Sequence, residues 1–206
     1  MQIKIGLIRN LPHIRSSVEL LVIIMIKEIT IRDFFSFRGE HTIKLNSGVN
    51  LLLGVNGSGK TSFLNAITVL YEGIVGNGLS DLFRQWGSYA SIVNACGEDR
   101  PDCFSLSYVF DATELKKLVP SSPFQYDVHY KITVFPLGNG SNYSLCETLY
   151  SQDNRSKKKS FSYLEFRGGI GQISVRSADG KIINEKYGDG MVSGQELVLR
   201  QITDPQ

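Results

Sequence analysis

Gly54-Val55-Asn56-Gly57-Ser58-Gly59-Lys60-Thr61 places a glycine, four variable positions and then Gly-Lys-Thr in unbroken order. Each residue type in that spacing has a chemical use. Gly54, Gly57 and Gly59 allow backbone angles closed to other residues and leave room for phosphate oxygens. The turn aims successive N–H groups inward as an anion nest. A helix that follows adds its positive N-terminal end to the same anion. Lys60 supplies a point charge for the β- and γ-phosphates, and the Thr61 hydroxyl can ligate Mg²⁺. The cofactors implied are ATP and Mg²⁺.

The motif calls for a buried strand before it and a helix after it, and the flanking sequence is read as supplying both. Val49–Leu53 (VNLLL) is a short apolar run, predicted to be a strand buried on both faces. From Thr61 to Tyr71, Phe63, Leu64, Ile67, Leu70 and Tyr71 fall three and four residues apart, which predicts an amphipathic helix. Upstream, IKEITI and HTIKL read as two strands joined by a connection containing Phe34, Phe35, Phe37 and Gly39. Leu79 to Ala95 is expected to hold a second helix. Beyond Phe104 the texture changes. Strand-like runs over 104–110, 127–134, 143–150, 161–166 and 172–175 alternate with turn clusters, and Asp179-Gly180 is a hairpin signal. An antiparallel meander is expected there, with a short helix beginning near Ser193.

Residues 26–67, IKEITIRDFFSFRGEHTIKLNSGVNLLLGVNGSGKTSFLNAI, resemble the N-terminal ATPase lobe of the SMC/RecF-type family. These are ABC-type, AAA-family heads, similar also to the ATPase domains of overcoming-lysogenisation-defect proteins. The likeness is specific over that stretch and architectural over 104–185. It implies an α/β P-loop NTPase of ABC-head type with an antiparallel β-subdomain. The domain boundaries expected are 1–24 as an N-terminal extension, 25–103 as the P-loop lobe, 104–190 as the β-subdomain and 191–206 as the start of a second lobe. It implies a nucleotide set of Gly54, Val55, Asn56, Gly57, Ser58, Gly59, Lys60, Thr61 and Ser62 with Arg38. Lys60 is assigned to catalysis. Gln201 is the candidate glutamine for Mg²⁺ and the attacking water, with Gln195 as the alternative. Implied partners are ATP, DNA, and a second head or a C-terminal lobe in trans.

Two further family motifs are only echoed. Tyr108-Val109-Phe110-Asp111 is an apolar run ending in Asp, but Ala112 stands where a catalytic Glu is needed, so a strand end is the reading preferred. Val192-Ser193-Gly194-Gln195-Glu196 has one glycine fewer than the family signature. Without a catalytic carboxylate, phosphoryl transfer to water is slow even where nucleotide binds. The expectation is an ATP-binding lobe for DNA repair, DNA transactions or phage defence, incomplete for hydrolysis by itself. The alternatives are a non-catalytic nucleotide-binding interaction module, or a P-loop kinase; a GTPase would need an N-K-x-D box, which the sequence lacks.

The remaining composition mostly excludes. The 206 residues carry a net charge of +2, too close to neutral for a basic nucleic-acid arm. Cys96, Cys103 and Cys146 are too few for a disulfide framework and lack metal-ligand spacing, as do His13, His41 and His129. The apolar run 20–26 is shorter than the ~20 residues a membrane span needs, so a cytoplasmic protein with no membrane partner is expected. Arg32 is a candidate for phosphate or base contact beside Arg38. Arg84 is a candidate coupling residue, and Arg155 to Lys159 is a basic cluster with a weak case for DNA backbone contact.

Overall fold

A computed structural model describes residues 25–46, 48–94, 101–118, 120, 124–138, 142–153, 159–177 and 179–203. In chain order the elements are β1 (Ile26–Arg32), β2 (Glu40–Lys44), α1 (Lys60–Ile74), α2 (Leu79–Gln85) and α3 (Tyr89–Ile92). There follow β3 (Phe104–Phe110), α4 (Ala112–Leu118), β4 (Asp127–Leu137), β5 (Asn142–Gln152), β6 (Lys159–Arg167), β7 (Ile170–Arg176), β8 (Ile182–Tyr187) and α5 (Val198–Thr203).

The eight strands form one sheet in the order β2-β1-β3-β4-β5-β6-β7-β8, with every neighbouring pair antiparallel. It crosses position 103 without a break, because β1 pairs with β3. Side chains alternate across a sheet, so one face collects every second residue. One transverse row of that face reads Ile31, Leu106, Ile132, Glu147, Phe166; the next reads Ile29, Tyr108, Tyr130, Leu149, Leu164. Phe63, Ala66, Val69 and Leu70 of α1 belong to the same buried core as the β1, β3 and β4 members of these rows. Inside it, Tyr108 donates its hydroxyl to the Ala66 carbonyl of α1 at 2.6 Å.

The β1–β2 connection is held in an unusual shape. Asp33 and Phe35 have φ of 52° and 48°, the left-handed region that costs non-glycine residues energy. Surrounding bonds over-determine it. The Gly39 amide donates to Asp33 Oδ1 at 2.7 Å, the Phe35 amide to the Ile92 carbonyl at 2.7 Å, and Asn94 Nδ2 to the Phe35 carbonyl at 2.6 Å. Phe34 is fully buried beneath Phe35, Trp86 and Phe104.

Several expectations are corrected. Val49–Leu53 is not a strand, and Val49, Leu51 and Leu53 are 94%, 77% and 81% exposed. A strand needs a neighbour for its ladder, and no strand lies beside this segment among the described residues. The helix expected over 79–95 is two short ones, α2 and α3, broken where Gly87 takes φ 106°. α4 and β8 were not foreseen as elements. The helix expected near Ser193 starts at Val198.

Candidate phosphate-binding site

Residues 54–59 form a tight loop that opens directly into α1. The Ser58 amide donates to the Val55 carbonyl at 3.2 Å, closing the turn. Gly57 and Gly59 have φ of 83° and 89°. A Cβ on Gly54 would sit 2.5 Å from Ser58 Oγ and 3.1 Å from its Cβ, so a side chain there would force Ser58 to shift. At the mouth, Lys60 Nζ donates to the carbonyls of Gly54 and Val55 at 2.6 and 2.8 Å, and to Ser58 Oγ at 3.3 Å.

α1 begins after Gly59 with no side chain capping it and no acidic residue in its first turn. Its positive end is therefore left uncompensated on the side of the loop, the arrangement that favours an anion. The Thr61 side chain stands exposed in that first turn. Ser62 is turned inward: its Oγ lies 2.8 Å from Ser36 Oγ and accepts from the Ser36 amide at 3.4 Å. This fastens the β1–β2 connection to α1. A Cβ on Gly59 would meet Ser36 Oγ at 3.2 Å and the Phe37 ring at 3.4 Å. The donor set fits a magnesium–triphosphate: amides and an ammonium for phosphate oxygens, and a neutral hydroxyl for a hard cation.

Residues 28–190 match the family model described as AAA domain. The chain is an SMC/Rad50-like member of the AAA domain family. A 51-residue stretch is 41% identical to the "DNA double-strand break repair Rad50 ATPase" of Archaeoglobus fulgidus. That stretch covers 25% of this chain and 6% of the relative, so the AAA domain described here spans a small part of that protein's length.

The expected site residues of this AAA domain divide into three groups. Gly54 to Ser62 are contiguous in the loop and first turn. Arg38 is exposed at the end of the connection that carries Ser36 and Phe37, and its carbonyl lies 2.8 Å from His41 Nε2. Gln201 is not brought to the loop. Its Oε1 accepts from the Ser193 amide at 2.6 Å, and its Nε2 donates to the carbonyls of Ser193 and Glu196, both at 3.1 Å. The preceding Arg200 donates to the carbonyl of Gly76, just past the far end of α1. A helix of this length separates its ends by about 20 Å. The alternative, Gln195, has its carbonyl bound by the Tyr143 hydroxyl at 2.9 Å.

The weaker candidates have structural occupations. Asp111 caps α4, accepting from the amides of Thr113 and Glu114 at 2.7 and 3.2 Å, which agrees with a strand end. The 192–196 segment is a turn: the Gly194 carbonyl accepts from the Leu145 amide at 2.9 Å, and Glu196 accepts from the first amides of α2 at 2.7 and 2.9 Å. Arg84 pairs with Asp81 at 2.7 Å, and Arg32 Nε with Asp33 at 3.3 Å. The cluster from Arg155 lies outside the described residues up to Lys158. Among the described residues, no helix is long and apolar enough to cross a membrane.

Two residues with prominent roles were missed, Ser36 and Glu147. Glu147 was detectable: it occupies an apolar-face position of the predicted strand, in register with Tyr143, Leu145 and Leu149. It is 1% exposed and accepts from the Tyr130 hydroxyl at 2.7 Å and the amides of Val198 and Leu199 at 2.6 and 3.2 Å. Burial raises its pKa to about 7, against the lowering effect of those bonds.

Proposed function

We propose that this chain is the ATP-binding lobe of an SMC/RecF-like ATPase that acts in DNA repair, DNA transactions or phage defence in the cytoplasm. The observation that carries the reading is the glycine loop at an uncapped helix end, with the Lys60 ammonium at its mouth. In this reading the amides of Gly57 and of residues 59–62 bind the phosphates while that of Ser58 closes the turn onto Val55, and Lys60 exchanges its carbonyl partners for phosphate oxygens. Thr61 holds Mg²⁺, which when bound offsets the phosphate charge and polarises the terminal phosphoryl group. Arg38 approaches the nucleotide from the β1–β2 connection, whose position Ser36 and Ser62 fix.

Hydrolysis is proposed to need a second head or a C-terminal lobe. No Asp-Glu pair occurs in the sequence, and Asp111 is committed to capping α4. The exposed 49–55 segment supports the same partner. An apolar run that leads straight into the loop is suited to strand pairing with a polypeptide that brings its own sheet edge. A role for Gln201 at the metal would require α5 to leave its present seat.

The direct test is calorimetric titration with Mg-ATP of the wild-type chain and Lys60→Ala. Binding in the wild type that falls by roughly tenfold or more in the variant supports the reading, the loss of a charge-assisted phosphate contact being worth about 1.5–3 kcal/mol. Equal affinity in both overturns it.

A further inference from the structure

A chain of buried polar groups crosses the core between α1 and α5. At one end Tyr108 on β3 donates to the Ala66 carbonyl in the middle of α1. Tyr108 and Tyr130 are direct cross-strand neighbours, their rings stacked with centroids 6.4 Å apart. Tyr130 donates to Glu147 on β5, and Glu147 takes both leading amides of α5. All three side chains are at most 1% exposed, so none of these bonds has water to replace it.

The geometry also closes a ring. Leu197, fully buried just before α5, fits a notch at the end of α1, where a Cβ on Gly73 would lie 2.6 Å from Leu197 Cδ1. Arg200 donates to the Gly76 carbonyl at that same end. Glu196, one residue before Leu197, holds the start of α2. The 193–203 segment is thus tied to α1 by its end, to α2 by Glu196, and to the sheet by Glu147.

Among the described residues, the sheet side of that seat is mainly apolar. Leu164 and Phe166 on β6, with Val198, form the surrounding cluster, flanked by Leu149, Leu199 and Ile202. A lone acceptor among such neighbours fixes the position of whatever donates to it. Sliding α5 along the sheet would strand Glu147 without its amides, an outcome more costly than the loss of an apolar contact.

We infer that Tyr108, Tyr130 and Glu147 couple the phosphate-loop helix to the 193–203 segment, so that occupancy of the loop is read out at the amides of Val198 and Leu199. The inference rests on the reading of residues 54–61 as a nucleotide site, and it makes Glu147 a positioning residue for α5. A ligand that stiffens α1 at its first turn restrains Ala66, one turn further on, and through it the tyrosine pair. Contact at the end of α1 alone would transmit the same signal without the tyrosines, so removing their hydroxyls separates the two routes.

The test is amide hydrogen exchange on the full chain with and without Mg-ATP, in the wild type, Tyr108→Phe, Tyr130→Phe and Glu147→Gln. In the wild type, nucleotide is expected to slow exchange at Val198 and Leu199 by roughly threefold or more. In Tyr108→Phe, which deletes one hydroxyl and leaves the ring, nucleotide binds as in the wild type and the slowing at α5 is lost. Should Glu147→Gln fold poorly, the two Phe variants decide the matter. Nucleotide bound with 193–203 unchanged in the wild type, or slowed equally in the Phe variants, overturns the coupling and leaves the nucleotide site standing. No binding by the wild type overturns the reading of the loop and the coupling with it.

Discussion

At the residue scale, the phosphate loop depends on glycines for two separable reasons. At Gly54 the matter is space, since a Cβ would crowd Ser58 and make its hydroxyl turn aside; Gly59 is needed for conformation, at φ 89° with Ser36 and Phe37 close by. Gly59→Ala is therefore expected to lower stability by about 1–2 kcal/mol, the cost of a left-handed non-glycine residue, with crowding against Ser36 added to it. Urea unfolding measures the loss, and an unchanged midpoint would mean that the loop relaxes at no cost. Ser62→Ala carries a different expectation. It removes the hydroxyl that anchors Ser36, so it is predicted to weaken Mg-ATP binding by several-fold through the β1–β2 connection while costing only about 1 kcal/mol of stability.

Elements were legible where their own residues satisfy them. The strand expected over 104–110 appears with the same bounds, because its apolar side chains have neighbours on both sides within this chain. The loop-to-helix junction was legible because glycine spacing is a local demand of the backbone. Val49–Leu53 was misread because its apolar pattern states a need for burial without saying who meets it, and its neighbours are not among the described strands. β8 escaped notice for the opposite reason: it is an exposed edge, so its residues show no alternation to detect. α4 was hidden in plain view, since Asp111 and Glu114 three residues later have the spacing of a capping box. The exposed segment carries its own prediction. Leu51→Asp and Leu53→Asp leave the urea midpoint within about 0.5 kcal/mol of wild type, as for any exposed position, and reduce self-association in light scattering. A collapse of the fold in these variants would show that 49–53 is buried after all.

At the scale of the whole molecule, the single glutamate in an otherwise apolar row makes stability depend on pH. The carboxyl of Glu147 is raised from the usual 4.5 to about 7 by burial. Below 4.5 the group is protonated in both folded and unfolded chains, and its contribution is fully present. Between the two values the unfolded chain releases a proton that the folded chain keeps, so stability falls as pH rises. Above about 7 the loss is complete, at about 3 kcal/mol for a shift of this size. His129 runs the other way: burial lowers its pKa, so the folded chain gains relative stability as pH rises through the ordinary imidazole range. Total stability against pH therefore mixes the two, and the comparison that isolates Glu147 is wild type against Glu147→Gln. The amide cannot ionise but still offers one oxygen to the Tyr130 hydroxyl or an α5 amide, so the variant is expected to be destabilised most at low pH, by about 1–3 kcal/mol. Its deficit then shrinks as pH rises from 5 to 8, because only the wild type bears the growing cost of holding a carboxyl whose ionisation favours the unfolded chain. Urea unfolding at pH 5, 6, 7 and 8 follows that difference. A deficit that stays constant or widens would mean that Glu147 is ionised throughout, its three donors outweighing its burial.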